Sequence, residues 1–124
     1  MEKNITPKSG SDILLAEDNP FVLKSMRMML EKDTHRVTTA EDGEAALELF
    51  SKLKFDLVIT DFDMPKMDGL RLAVAIRRLV PDQRILLITA KPDEVGAPQG
   101  LFDAILVKPF LPQSLREAIA KLMG

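Results

Sequence analysis

At four places along the chain a chemically active side chain directly follows a short apolar run. Glu17-Asp18 follows Ile13-Leu14-Leu15-Ala16, Asp61 follows Leu57-Val58-Ile59-Thr60, Thr89 follows Ile85-Leu86-Leu87-Ile88, and Lys108 follows Ile105-Leu106-Val107. Brought together, the three carboxylates repel one another and raise a pKa unless a counter-ion intervenes. Mg²⁺ suits that role, because it takes carboxylate, water and phosphate oxygens and keeps the acids ionised. A carboxylate so held can attack phosphorus and form an acyl phosphate. The transferring group spreads negative charge over its equatorial oxygens, which then need cations and hydrogen-bond donors. Lys108 and Mg²⁺ would supply the charges, Thr89 a neutral hydroxyl, and Asp61 the accepting oxygen.

Something must carry these residues to one place. Short apolar runs alternate with stretches of helical period, the pattern of βα units around a parallel sheet. Asn19-Pro20 reads as a capped helix start, followed by Val22, Met26, Met29 and Leu30 on one face. Arg36 to Thr39 is β-branched but only half apolar, as suits an edge strand. Asp42-Gly43 marks a turn before a helix expected to bury Ala46, Leu49, Phe50 and Leu53. Met64 to Gly69 reads as a loop, and Asp68 as the cap of a helix burying Ala73, Ile76 and Val80. Pro112 opens the last helix, with Leu115, Ala118, Ile119 and Leu122 inward.

Five strands, all expected to be buried, and up to five helices predict an open, doubly wound α/β sheet with right-handed connections. Ligands in such sheets collect beyond the carboxyl ends of the strands, where all four functional positions fall. The methionines Met26, Met28, Met29, Met64 and Met67 read as packing, and His35, the only histidine, as a solvated surface residue.

The 124 residues suit one domain, with 46% hydrophobic and 29% charged residues excluding wholesale disorder. A net charge of −2 argues against direct nucleic-acid binding by this domain. The absence of cysteine excludes disulfides and thiolate metal sites and is compatible with a reducing cytosol. No run approaches a membrane span, and Met1 to Ser11 is polar, with Pro7 and Gly10 and no apolar signal core. Residues 1–11 are therefore expected to be a flexible lead-in to a domain at 12–124, cytoplasmic and without a membrane partner.

In order and spacing, Glu17-Asp18, Ile59-Thr60-Asp61 with Met64-Pro65 and Asp68-Gly69 behind it, Thr89-Ala90 and Lys108-Pro109-Phe110 resemble the motifs of response-regulator receiver domains. The resemblance runs from about Asp12 to Leu122. It implies a flavodoxin-like strand order, 2-1-3-4-5. It also implies Asp61 as phosphoacceptor and Mg²⁺ ligand, Asp18 as second ligand, Glu17 acting through a water, and the Asp63 backbone carbonyl as a further ligand. Thr89 corresponds to the hydroxyl that turns toward the phosphoryl group and Lys108 to the cation that pairs with it. The implied donor is a sensor histidine kinase or phosphotransfer protein, and the implied result is a shift between two states that changes partner interactions. Such a domain catalyses only its own phosphorylation and dephosphorylation. The output partner or domain is not specified, and a homodimer is left open.

Two departures stand out. The family usually carries Tyr or Phe three residues before the lysine, where this chain has Ile105 and contains no Tyr at all. The segment from Lys91 to Asp103 holds Pro92, Gly96, Pro98 and Gly100 where a fourth helix is expected. A helix-interior Pro costs about 3 kcal/mol and Gly about 1 relative to Ala, so a short helix or irregular loop is predicted there, and output through that face is expected to be non-standard.

Two other functions share parts of this pattern. Asp61-Phe62-Asp63 resembles the paired aspartates of haloacid-dehalogenase-like phosphohydrolases, but that pair normally sits on the first strand of a longer chain. A receiver-like interaction module that takes no phosphate would retain the fold but not bind Mg²⁺.

Overall fold

The computed structural model describes residues 10–124. The elements follow in the order β1 (Asp12–Ala16), α1 (Pro20–Lys32), β2 (Arg36–Ala40), α2 (Gly43–Lys52), β3 (Leu57–Asp61), α3 (Gly69–Leu79) and β4 (Ile85–Thr89), then a single 3-10 turn (Pro92–Glu94), β5 (Ala104–Val107) and α4 (Pro112–Met123). The strands form one parallel sheet in the order β2-β1-β3-β4-β5. That is the architecture expected from the sequence, with β2 at an edge. Most of the expected lead-in, residues 1–9, lies outside the described residues. Ser11 runs straight into β1, its carbonyl accepting from Arg36 N–H at 2.9 Å.

Two apolar layers sandwich the sheet. On one face Leu14, Val58 and Ile85 pack with Ala46 and Phe50 of α2 and Leu72, Ala73 and Ile76 of α3. On the other, Ile13, Leu15, Leu57, Ile59, Leu86 and Ile88 pack with Met26 and Leu30 of α1 and Leu115 and Ile119 of α4. The period-2 alternation of each strand divides its side chains between these layers. Strands β3 and β4 are buried along their whole length, as doubly covered strands must be.

The helices begin where their caps dictate. Asn19 accepts from the Phe21 and Val22 amides with Pro20 at the first helical position, Asp42 accepts from Ala45 N–H, and Asp68 from Arg71 N–H. They also stop earlier than the apolar spacing predicted. Leu53 and Val80 are extended residues just past α2 and α3, 49% and 37% exposed, and are not core. Met28 faces solvent on α1 at 60% exposure. His35 is half-buried, its Nδ1 accepting from Ser11 N–H at 2.9 Å, so it ties the start of β1 to the α1–β2 corner.

The segment after β4 forms only the 3-10 turn and then irregular backbone, with Gly96 and Gly100 at φ +58 and +86, as the Pro and Gly content predicted. Val95 and Leu101 anchor it to the core. It covers less of β5 than a helix would. Consequently β5 is not buried as expected: Ala104 and Leu106 meet the α1–α4 layer, but Ile105 and Val107 remain 46% and 45% exposed.

Arg77 of α3 holds this irregular segment in place. Its guanidinium donates to the carbonyls of Leu101 at 2.9 and 3.0 Å, Gln83 at 2.6 Å and Pro81 at 3.0 Å, and pairs with Asp103 at 3.0 Å. Asp103 in turn accepts from Ile85 N–H at 2.7 Å, at the start of β4.

Candidate phosphoacceptor site

Parallel register sets the site. Ala16 pairs with Thr60, so Glu17 and Asp61 emerge side by side; Asp61 pairs with Ile88, and Thr89 with Val107, one residue before Lys108. Each functional side chain leaves the sheet at the carboxyl end of its strand, which is why the pattern of apolar run followed by polar residue was informative. Carboxylate oxygens of Glu17, Asp18 and Asp61 lie within 4.8 Å of one another.

Lys108 is the counter-charge. Its Nζ sits 3.1 Å from Glu17 Oε1 and 3.2 Å from Asp61 Oδ1. Glu17 is 2% exposed, and its second oxygen accepts from Asn19 N–H at 3.0 Å. Asn19 therefore both caps α1 and anchors the carboxylate before it, a role the sequence reading assigned only to the cap. Asp61 Oδ1 also accepts from Phe62 N–H at 3.0 Å, while Phe62 N–H is shared with the Ile88 carbonyl at 3.0 Å. The Phe62 carbonyl accepts from Gly69 N–H at 2.8 Å, closing the loop behind the acid. A Cβ at Gly69 would run into the Asp61 carbonyl oxygen, so only glycine lets α3 start this close.

The electrostatics of the two buried partners differ in cause. Burial pushes the Glu17 carboxyl above its usual range, and nearby Asp61 adds to that, while Asn19 N–H and Lys108 pull back without prevailing. Burial works against the Lys108 charge too, but there the bonds to Glu17 and Asp61 win and raise its pKa. Three carboxylates against one ammonium leave net negative charge in an all-oxygen donor set, which is what a hard divalent cation requires.

The remaining sequence candidates fall as follows. Asp18 is exposed beside Glu17, and Asp63 is exposed in the loop after β3. Thr89 is buried at the end of β4, and its hydroxyl accepts from Lys91 N–H at 3.0 Å. The hydroxyl is thus engaged with the segment that follows it. The Lys108–Pro109 peptide is cis.

Comparison with known proteins agrees with this geometry. The family model described as "Response regulator receiver domain" matches residues 13–120. The transcriptional regulatory protein GlrR of Escherichia coli is 36% identical over 110 residues, covering 86% of this chain and 25% of that protein. The alkaline phosphatase synthesis regulator PhoP of Bacillus subtilis is 31% identical over 114 residues, covering 90% and 48%. The chain thus spans between a quarter and a half of these curated relatives. Among solved structures, the Thermotoga maritima response regulator TrrA, in complex with Mg(2+)-BeF, superposes with a TM-score of 0.83 at 34% identity over 90% of this chain and 97% of that one. Neither the phosphohydrolase nor the phosphate-free module is favoured by these matches. Family match, strand order and acidic cluster agree: this chain belongs to the response regulator receiver domains of two-component signalling.

Proposed function

We propose that this domain accepts a phosphoryl group on Asp61 in a Mg²⁺-dependent reaction and so switches the interactions of the protein that carries it. The observation that carries the proposal is the hold on Asp61: Oδ1 is fixed by Lys108 and Phe62 N–H, whereas Oδ2 has no hydrogen-bond partner among the described residues. The fixed oxygen orients the carboxylate and the unencumbered one is the nucleophile. It forms the new O–P bond as the P–N bond of a donor phosphohistidine breaks, and the leaving imidazole takes up a proton. Lys108 faces the charge that gathers on the transferred group.

Glu17, Asp18, Asp61 and the Asp63 carbonyl would hold the metal, Glu17 through a water. When bound, Mg²⁺ supplies positive charge to the phosphoryl oxygens and keeps the carboxylates ionised. The donor is a sensor histidine kinase or phosphotransfer protein, in the cytoplasm. The receiver unit comprises residues 12–124, with 1–11 as its lead-in, and its only catalysis is on itself. Thr89 would exchange its bond to Lys91 N–H for one to the phosphoryl group, loosening the segment after β4. With Ile105 in place of an aromatic residue, this local release carries the signal.

Intact-protein mass spectrometry after exposure to acetyl phosphate and Mg²⁺ tests the reading. One added phosphoryl group is expected, absent in Asp61→Ala and absent with a chelator. No gain at any time point, with Mg²⁺ binding preserved, would sink it.

A further inference from the structure

Away from the phosphoacceptor site, α2 and α3 leave an open groove of about 660 Å³ between them. Leu47 lines it from α2, and Met67, Ala75 and Leu79 line it from the other side, with Leu79 56% exposed. The two rims differ in charge. Along α2 run Glu44 and Glu48, one turn apart; along α3 run Arg71 and Arg78, two turns apart on the same face. Among the described residues, the side chains of Glu44, Arg71 and Arg78 make no hydrogen bond or ion pair. An apolar floor between an acidic rim, with Glu44 unpaired and Glu48 held only by Lys52 at 3.2 Å, and an unpaired basic rim is complementary to its own copy.

We infer that this α2–α3 face is a self-complementary interface that docks a second copy of this chain about a two-fold axis running along the groove. Both helices cross over between parallel strands and so run the same way, and they start level, since Gly43 abuts Met67 just before α3 begins. Rotation about an axis along the groove lays α2 of one copy over α3 of the other with the order along the helices kept. Glu44 then faces the partner copy's Arg71, and Glu48 lies between the two arginines. Lys52, at the far end of the acidic rim, is already engaged by Glu48 at 3.2 Å. An axis across the groove would stack α2 on α2 and set glutamate against glutamate, so the charges select one of the two arrangements. Floor meets floor, and each contact occurs twice.

Sedimentation velocity of the whole chain over a concentration series tests this. The wild type is expected to form a concentration-dependent dimer. Glu44→Arg or Arg71→Glu alone should weaken it by about tenfold or more, because each reversal creates two like-charge contacts. An equimolar mixture of the two variants should recover the wild-type association, since every reversed charge then meets its opposite. Leu79→Glu should abolish dimerisation by charging the floor. All three positions are exposed, and circular dichroism of each variant checks that the fold is intact. A wild type that stays monomeric at the highest attainable concentration would overturn the inference. So would single variants that associate as the wild type does, or a mixture that fails to recover.

Discussion

At the scale of the residue, the site is built around an imbalance. Glu17 is buried with a raised pKa, so the folded chain holds that proton more tightly than the unfolded chain does. Its contribution to folding is therefore greatest below the ordinary carboxylate range and fades as pH rises through the folded-state value. In chelator, the stability of Glu17→Gln relative to wild type is expected to improve as pH rises from acidic toward neutral, measured by urea denaturation at several pH values. A difference that stays flat with pH would contradict the burial argument. Lys108→Ala should push Glu17 further in the same direction, because it removes the nearest cation from both acids. The shift can be followed directly through the Glu17 carboxyl carbon by NMR. These residues were legible in the sequence because each directly follows an apolar run. What was not legible is the sharing of Lys108 between Glu17 and Asp61, or the Asn19 amide behind Glu17, since both depend on how loops close in space.

At the scale of the element, close approach and cross-links do the work. Gly69→Ala should cost about 1–3 kcal/mol by crowding the Asp61 carbonyl, and should slow Asp61 labelling because the acid rides on that backbone. Gly96 has open space around its Cβ position but φ +58, so Gly96→Ala should cost only about 1 kcal/mol, from strain alone. Chemical denaturation separates the two, and equal losses would refute the steric account. Arg77→Ala should cost about 2–4 kcal/mol by leaving the Leu101 and Gln83 carbonyls without their donor, with hydrogen exchange rising across residues 91–103. Periodicity placed every strand and all four long helices, because an apolar stripe is a local signal. It misjudged Leu53 and Val80, since a stripe does not reveal where a helix lets go. It also could not foresee the half-bare β5, because four apolar residues in a row say nothing about what covers them. Arg77 was invisible for the same reason: its carbonyl and carboxylate partners lie as far as 26 residues along the chain.

At the scale of the whole molecule, the sheet order places β1, the first strand, in the interior, while one of its faces waits for α4, the last helix. Ile13 and Leu15 share their layer with Leu115 and Ile119, roughly a hundred residues downstream. During synthesis at about 5–20 residues per second, that layer stays open for several seconds after β1 and α1 have left the ribosome. Arrested nascent chains are therefore expected to remain sensitive to protease until α4 clears the exit tunnel, and protection arising as soon as β5 has emerged would argue otherwise. Asp61 is thus made well before Lys108, and the layer beneath the site is sealed only afterwards. A nascent chain therefore carries an unfinished site until the last helix of this domain has been made.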